Sequence, residues 1–551
     1  MNAADARTNA ADSGWLQAGT WLAAFCAACG AGAGLGLLAG VPVSGGWLAA
    51  AVVAACAATG MRAARRGWLV GLAWLALSVA FAGATFDLSW DGQAYHQQAV
   101  DELANRGWNP VRQPVPDAPY GLWIGHYAKI GWYYAAVLYR ATGRIETGKS
   151  LHLALAGGVF CLLFGLLRRR GTPRGAALAI STALVFNPVV SVQLATFYVD
   201  GLVANAGLLL AAGLWMLWGE RWPRLGWTAI ASGCVLLANA KFTGLILAAW
   251  LCAAAFVARW AWRARSGAPA RLFSGRELAG WAAVGLLTLA VGANPYATNV
   301  RRNGHPFYPL AGNGRIDIMT RNTPTGLRHP EWSAFRRGLA AHASPSAVWE
   351  GAVGFRNPFQ ISQREFRAWA CPDARLGGFG PFFPASFLAA MAAWGWICVR
   401  AGRNVRGATC AFVAAVGGSV LVNPEWWWAR YVPQLWWLPC GLGACAWLLP
   451  AGGRGLRALG GLALAGLLAG ALGALAVSLG GWVVPGTFKA RQQLERLRQA
   501  PAVEVAFDPH GPFHSNLLRL EEAGVKCVVV PALPTNAERL VHSTTRVRPA
   551  P

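Results

Sequence analysis

Apolar runs of about 17–25 residues, the length that spans a bilayer as an α-helix, recur along the whole chain between short polar stretches. They predict about thirteen membrane helices, centred near Cys29, Ala51, Ala76, Gly157, Leu184, Leu209, Leu236, Ala249, Leu286, Ala392, Val416, Leu442 and Leu468. The stretch from Trp227 to Trp260 exceeds one crossing and is interrupted by Asn239 and Lys241, so it is read as two helices. The first run, Trp21 to Val41, is long enough to span and lacks a cleavage signature, and the N-terminus is expected to stay attached. The pattern therefore predicts an all-α polytopic membrane protein.

Composition agrees with the pattern. Only 13% of the 551 residues are charged, against about 25% in a soluble domain, and the mean hydropathy is +0.37. A net charge of +25 would suggest a nucleic-acid partner in a soluble chain. Here the cations gather in runs between apolar segments, which speaks for membrane orientation and against nucleic acid. With thirteen helices and the N-terminus inside, the clusters Arg62/Arg65/Arg66, Arg168/Arg169/Arg170, Arg221/Arg224, Arg263/Arg265/Arg271/Arg276, Arg400/Arg403/Arg406 and Arg454/Arg457 all face the cytoplasm. The expected location is the bacterial inner (cytoplasmic) membrane, multi-pass, with the active site on the periplasmic or exterior side.

This topology divides the chain into two N-terminal helices (1–66), a seven-helix module (67–293) with a first outer loop (86–147), a long extracytoplasmic loop (294–384), C-terminal helices (385–484) and an outer tail (485–551). The second loop carries Arg301, Arg302, Arg315, Arg321, Arg336 and Arg337, which is tolerated because long loops translocate largely regardless of charge. In the first loop the aromatic stretch Tyr120–Tyr134 is expected to form short helices on the membrane surface. The tail reads as a basic amphipathic segment, a strand Val503–Phe507, a helix Asn516–Ala523 and a strand Val525–Val530, a βαβ fragment too small to stand alone. It is expected to lean on the outer loops. Most of the cysteines lie in apolar runs without metal-ligand spacing and read as packing residues, whereas Cys371 and Cys527, in outer segments, are expected to meet as a disulfide.

Charged groups at the ends of apolar runs are the candidates for chemistry, because a charge there is costly without a role or a partner. Asp87 and Asp91, four apart after the third helix, would share one face if that segment is helical, beside Trp90, Tyr95 and His96. Asp87 could equally cap a helix. Asp200 stands in a short connection with no local Lys or Arg. Three cations, Lys241, Arg430 (followed by Tyr431) and Lys129, which sits in the aromatic loop after His126, are oddly placed for surface groups, and such cations suit a phosphate or pyrophosphate headgroup.

The order of these parts resembles the GT-C superfamily of integral-membrane glycosyltransferases over about residues 67–450. Acids stand in the first outer loop (Asp87, Asp91) and in the next (Asp200), and a long outer loop follows the seven-helix module. The segment Asn303-Gly-His-Pro-Phe-Tyr-Pro309 is similar to a Gly-Asn-Pro-Phe/Tyr-Pro stretch of that superfamily, and Trp428-Ala-Arg-Tyr431 resembles its late Arg-Tyr stretch. Two helices precede the expected first one, and the first-loop motif is not an adjacent acid pair. The resemblance implies inverting sugar transfer from a polyprenyl-phosphate-linked donor to an extracytoplasmic glycan, lipid or protein acceptor. Asp91 would be the base and Asp87 the second choice, with Asp200 orienting the acceptor or sharing a metal. Lys241 and Arg430 would stabilise the leaving phosphate with Lys129 or His126. A divalent ion (Mg or Mn) would need the three carboxylates to converge, and metal stays unassigned. A transporter or lipid flippase is the rival from another class, although the halves show no inverted symmetry. An O-antigen polymerase or ligase, relying on Arg and His, is a third reading.

Overall fold

The computed structural model describes residues 3–60, 65–116, 118–219, 222–266, 273–357, 360 and 362–550, without the side chains of residues 3–11, 65, 66 and 451. Of the basic clusters, Arg62, Arg221 and Arg271 lie outside the described residues. Each predicted apolar centre falls in a helix: α1 (Ala3–Ala39), α2 (Trp47–Thr59), α3 (Arg65–Ala84), α4 (Ser150–Arg169), α5 (Arg174–Val185), α6 (Asp200–Trp218), α7 (Pro223–Ala240), α8 (Phe242–Arg265), α9 (Gly275–Val291), α10 (Phe383–Arg400), α11 (Arg403–Leu421), α12 (Trp437–Leu448) and α13 (Gly453–Ser478).

The expected count of thirteen spans is not reached. Among the described residues 8 helices are long and apolar enough to cross a membrane, or 9 if α9 and its continuation Ala293–Asn303, bent by 70°, form one broken span. The reason is length. Helices α2, α5 and α12 have 13, 12 and 12 residues, or roughly 18–20 Å against about 30 Å of hydrocarbon. Helix α2 stops at Gly60, which takes a positive φ of 85°, and α5 and α12 stop just before Asn187-Pro188 and Leu449-Pro450. Helix α7 is long enough, but Arg224, Thr228, Ser232 and Asn239 make it too polar, and most of it is buried in the bundle.

Two bundles share the helices. In the first, α1 is mostly buried and packs against α2, α3, α4 and α7. Its crossing with α4 brings backbones together at Gly19, where a Cβ would lie 2.4 Å from the Gly158 carbonyl oxygen, the small-residue contact that lets membrane helices approach closely. In the second, α10, α12 and α13 pack on one another, with the same device where a Cβ on Gly460 would meet the Gly443 carbonyl at 2.6 Å. Contacts of α5 with α13 and of α8 with α11 join the two bundles. The first-loop helix Ile130–Thr142 does not lie on a surface as expected. It packs against α1, with Tyr133 and Tyr134 fully buried.

Helix α13 runs on through a wide turn into α14 (Val484–Arg498), whose Leu494 and Leu497 start the core of a small domain. The expected βαβ unit is present as β1 (Val503–Ala506), α15 (Asn516–Glu522) and β2 (Cys527–Val529), with β1 and β2 parallel and Val503 opposite Cys527. Two further strands, β3 (Glu538–Arg539) and β4 (Arg546–Pro549), extend the sheet to the order β2-β1-β4-β3. The domain leans on the first long loop. The Gln93 amide donates to the His542 carbonyl at 2.9 Å and the Ser515 hydroxyl to the Gln93 carbonyl at 2.7 Å. All twelve cysteines are free, so the expected Cys371–Cys527 disulfide is not formed.

Candidate functional site

Five connections meet at one end of the helices and line a cavity of about 630 Å³. Asp91, Tyr95, His96, Asp200, Lys241, Arg430 and Tyr431 all line it. Asp91 enters at the start of a helix that opens with a five-residue π turn, Gly92–His96. Such wide turns leave the regular ladder and often accompany functional positions. Asp200 is the first residue of α6, where the helix end favours a carboxylate. Gln193 fixes it from two sides, donating to Asp200 Oδ2 at 3.1 Å and accepting from the Gly201 N–H at 2.7 Å.

Lys241 is the break between α7 and α8, with extended dihedrals (φ −160°, ψ 153°) that carry its side chain out of the helical path. Arg430 sits in a short 3-10 turn anchored by the preceding tryptophans. Trp426, Trp427 and Trp428 are buried, and the Trp428 indole N–H donates to the Ala374 carbonyl at 2.9 Å. The aromatic run therefore holds the guanidinium in place.

The charges form a chain. Lys241 Nζ donates to Asp200 Oδ1 at 2.6 Å and lies 3.7 Å over the Tyr431 ring. Arg430 reaches three carboxylates: Asp373 at 3.0 Å, Asp200 at 3.8 Å and Asp91 at 3.8 Å. Its Nε and Nη1 make no hydrogen bond of good geometry, so these are ion-pair approaches with directional capacity to spare. Burial works against the Arg430 charge, but Asp373, Asp200 and Asp91 outweigh it and hold its pKa well above the ordinary value. For Asp91 burial dominates over the pull of Arg430 and raises the carboxyl from 3.8 to about 6. His96 is pushed down to about 3 by burial, and the Trp132 indole N–H donates to its Nδ1 at 2.7 Å. The neutral ring thus carries its proton on Nε2.

Four of the candidates do not line this cavity. Asp87 precedes the helix, so it does not share a face with Asp91. It is fully buried, and its carboxylate accepts from the Ser89 and Phe197 N–H groups at 2.9 and 2.8 Å. Burial, reinforced by Glu146, raises its pKa to about 6. Lys129 is buried and donates to the Gly125 and Tyr127 carbonyls at 3.1 and 2.7 Å, and burial holds its pKa well below the usual lysine value. His126 donates through Nδ1 to Asn299 at 2.7 Å. Trp90 packs edge-on against Phe513 of the C-terminal domain at 4.7 Å.

Asp373 is the partner that the sequence did not single out. It bridges Arg430 and Arg375, the latter at 3.3 Å. The available signal was weak, one of five acids in the second loop, in Cys371-Pro-Asp-Ala-Arg375. Among the described residues no group of three or more His, Cys, Asp or Glu could hold a metal ion. Asp91 and Asp200 could contribute ligands only around Arg430, which reaches both. Arg315, Asp317 and Glu425 also line the cavity, and its apolar wall is made by Ile246, Leu247 and Trp250 of α8, Val422 beyond α11, and Phe307 and Leu310 of the second loop. Comparison with family models, with curated proteins and with solved structures found no match to this chain.

Proposed function

We propose that this protein is a GT-C-like membrane glycosyltransferase that transfers a sugar, with inversion, from a polyprenyl-phosphate-linked donor to an extracytoplasmic acceptor. The observation that carries this reading is the cavity, which joins the carboxylates Asp91 and Asp200 and the cations Lys241 and Arg430 to an apolar wall on α8 and at the end of α11, where Val422 follows the helix. Most of each of these two helices is left uncovered by the rest of the chain. That combination suits a ligand with an anionic head and a long apolar tail. In the proposed step the acceptor oxygen attacks the anomeric carbon while Asp91 takes its proton, and the bond from that carbon to the lipid phosphate oxygen breaks with its electron pair. Arg430 and Lys241 stabilise the phosphate that leaves, Asp200 holds Lys241, and Tyr431, Tyr95 and His96 line the sugar-bearing end. The bias of Lys and Arg toward the cytoplasmic side supports a position of this end outside a bacterial inner membrane, with the basic runs between the helices facing inward.

The test is an assay with a polyprenyl-phosphate sugar donor. Asp91→Asn keeps the size of the side chain but cannot take the proton, so turnover should fall about 10²-fold or more with donor binding retained. Full-rate transfer by that variant would remove Asp91 from the mechanism. Wild-type protein that moves the lipid without making a glycosidic bond would select the transporter reading instead.

A further inference from the structure

We infer that Asp87 is a positioning residue that locks the two acid-bearing connections of the cavity to each other, and that the C-terminal domain completes this lock. The reaction it serves is the one proposed above, on which this inference rests. Asp87 does not line the cavity and cannot touch a substrate there. Its two carboxylate oxygens are divided between the two connections. Oδ1 accepts from the N–H of Ser89, two residues before Asp91, at 2.9 Å. Oδ2 accepts from the N–H of Phe197, three residues before Asp200, at 2.8 Å.

The fit leaves no room for adjustment. A Cβ on Gly92, the residue after Asp91, would lie 2.0 Å from Asp87 Oδ2, so the backbone that carries Asp91 rests directly on this carboxylate. The Asp87 backbone is held as firmly. Its N–H donates to Glu146 Oε2 at 3.0 Å, and its carbonyl accepts from Arg519 Nη2 of α15 at 2.8 Å. Lys149 pairs with Glu146 and donates to the Thr85 carbonyl at 2.7 Å. Arg519 also lies 3.5 Å from Glu146. A carboxylate so enclosed serves to set the separation of Asp91 from the Asp200–Lys241 pair.

Asp87→Asn offers one acceptor where two N–H groups need one each, and Gly92→Ala forces the carboxylate aside by an independent route. Each should lower kcat about 10- to 100-fold with the donor KM changed less than about twofold, because Arg430 and Lys241 are untouched. The double variant should be no worse than the poorer single one, since both break the same contact. Hydrogen exchange supplies a readout that needs no activity. In Asp87→Asn the segments around 86–92 and 195–200 should both exchange at least about tenfold faster than in the wild type. Glu504→Gln, which breaks a surface pair of the small domain, should change neither readout. Unchanged exchange in both segments, full-rate transfer by Asp87→Asn, or additive losses in the double variant would each overturn the inference. Absence of transfer by the wild type, with the exchange pattern as expected, would overturn the reaction and leave the lock standing.

Discussion

Two charge clusters stand at the same end of the helices, built from the same residue types, and they are organised in opposite ways. In the cluster of Asp87, Glu146, Lys149 and Arg519, each group is at most about 5% exposed, and Lys149 pairs directly with Glu146. In the cavity cluster, Arg430 is spread over three carboxylates, two of them only at 3.8 Å, and Lys241 keeps 22% of its side chain exposed. The first arrangement fixes backbone. The second leaves cation capacity facing an open cavity, where an anionic ligand can compete for it. Acid and base residues beside a membrane therefore do not by themselves mark a reaction centre. On the function proposed above, incomplete mutual satisfaction together with access is what sets the cavity cluster apart.

The sharpest way to break this comparison is to remove one cation from each cluster. Lys149→Met leaves Glu146 buried beside a missing partner, and loss of one member of a buried pair costs about 3–5 kcal/mol. A large fall in the thermal midpoint of the purified protein is expected. Lys241→Met leaves Asp200 with Arg430 and Gln193 still beside it, and should lower the midpoint much less while abolishing most of the transfer. Equal midpoints for the two variants would mean that the clusters do not differ in the way described.

Arg430→Lys gives the next largest effect. A lysine keeps the charge but replaces a planar fork by a point charge, and it cannot span Asp91, Asp200 and Asp373 together. Transfer should fall by about tenfold, with the larger part in kcat if the guanidinium meets the leaving phosphate mainly in the transition state. An unchanged rate would show that charge alone suffices at this position.

The same contrast explains what was legible in the sequence. Asp91, Asp200, Lys241 and Arg430 stood out because they interrupt apolar runs, and the structure gathers all four around one cavity. Asp87 was visible for the same reason, but its role depends on where the helix begins, and an N–H from residue 197 cannot be read from spacing. Lys129 looked like a ligand cation, yet it is satisfied by two carbonyls of its own loop, a local geometry that composition does not encode. Asp373 was hidden among ordinary loop charges until Arg430 reached it. Helix positions were legible from hydropathy, whereas the number of spans was not, because Gly60, Pro188 and Pro450 cut three apolar runs short.

The smallest expected effect is also the most specific, because it concerns protonation alone. If Asp91 is the base it works ionised, so with its carboxyl raised to about 6 the acid limb of kcat/KM should bend near that value. Transfer should be level above it and fall about tenfold per pH unit below it. Stability responds with the opposite sign. Between 3.8 and about 6 the folded protein holds a proton on Asp91 that the unfolded chain has released, so this group's contribution to stability falls as pH rises through that window. The Tyr95 hydroxyl, beside Asp91, acts as a donor that favours the charged carboxylate, and Tyr95 itself stays protonated because burial and the neighbouring Asp91 hold its pKa well above the ordinary value. Tyr95→Phe removes that donor. A donor that favours the charged carboxylate by about 1 kcal/mol corresponds to about 0.7 pH unit, so the limb should move up by about that much while the plateau stays within about twofold. A limb that moves down would mean that the hydroxyl does not donate to Asp91. A limb that does not respond to Tyr95 at all would assign the titration to another group, with Asp87, whose carboxyl burial also raises to about 6, as the first candidate.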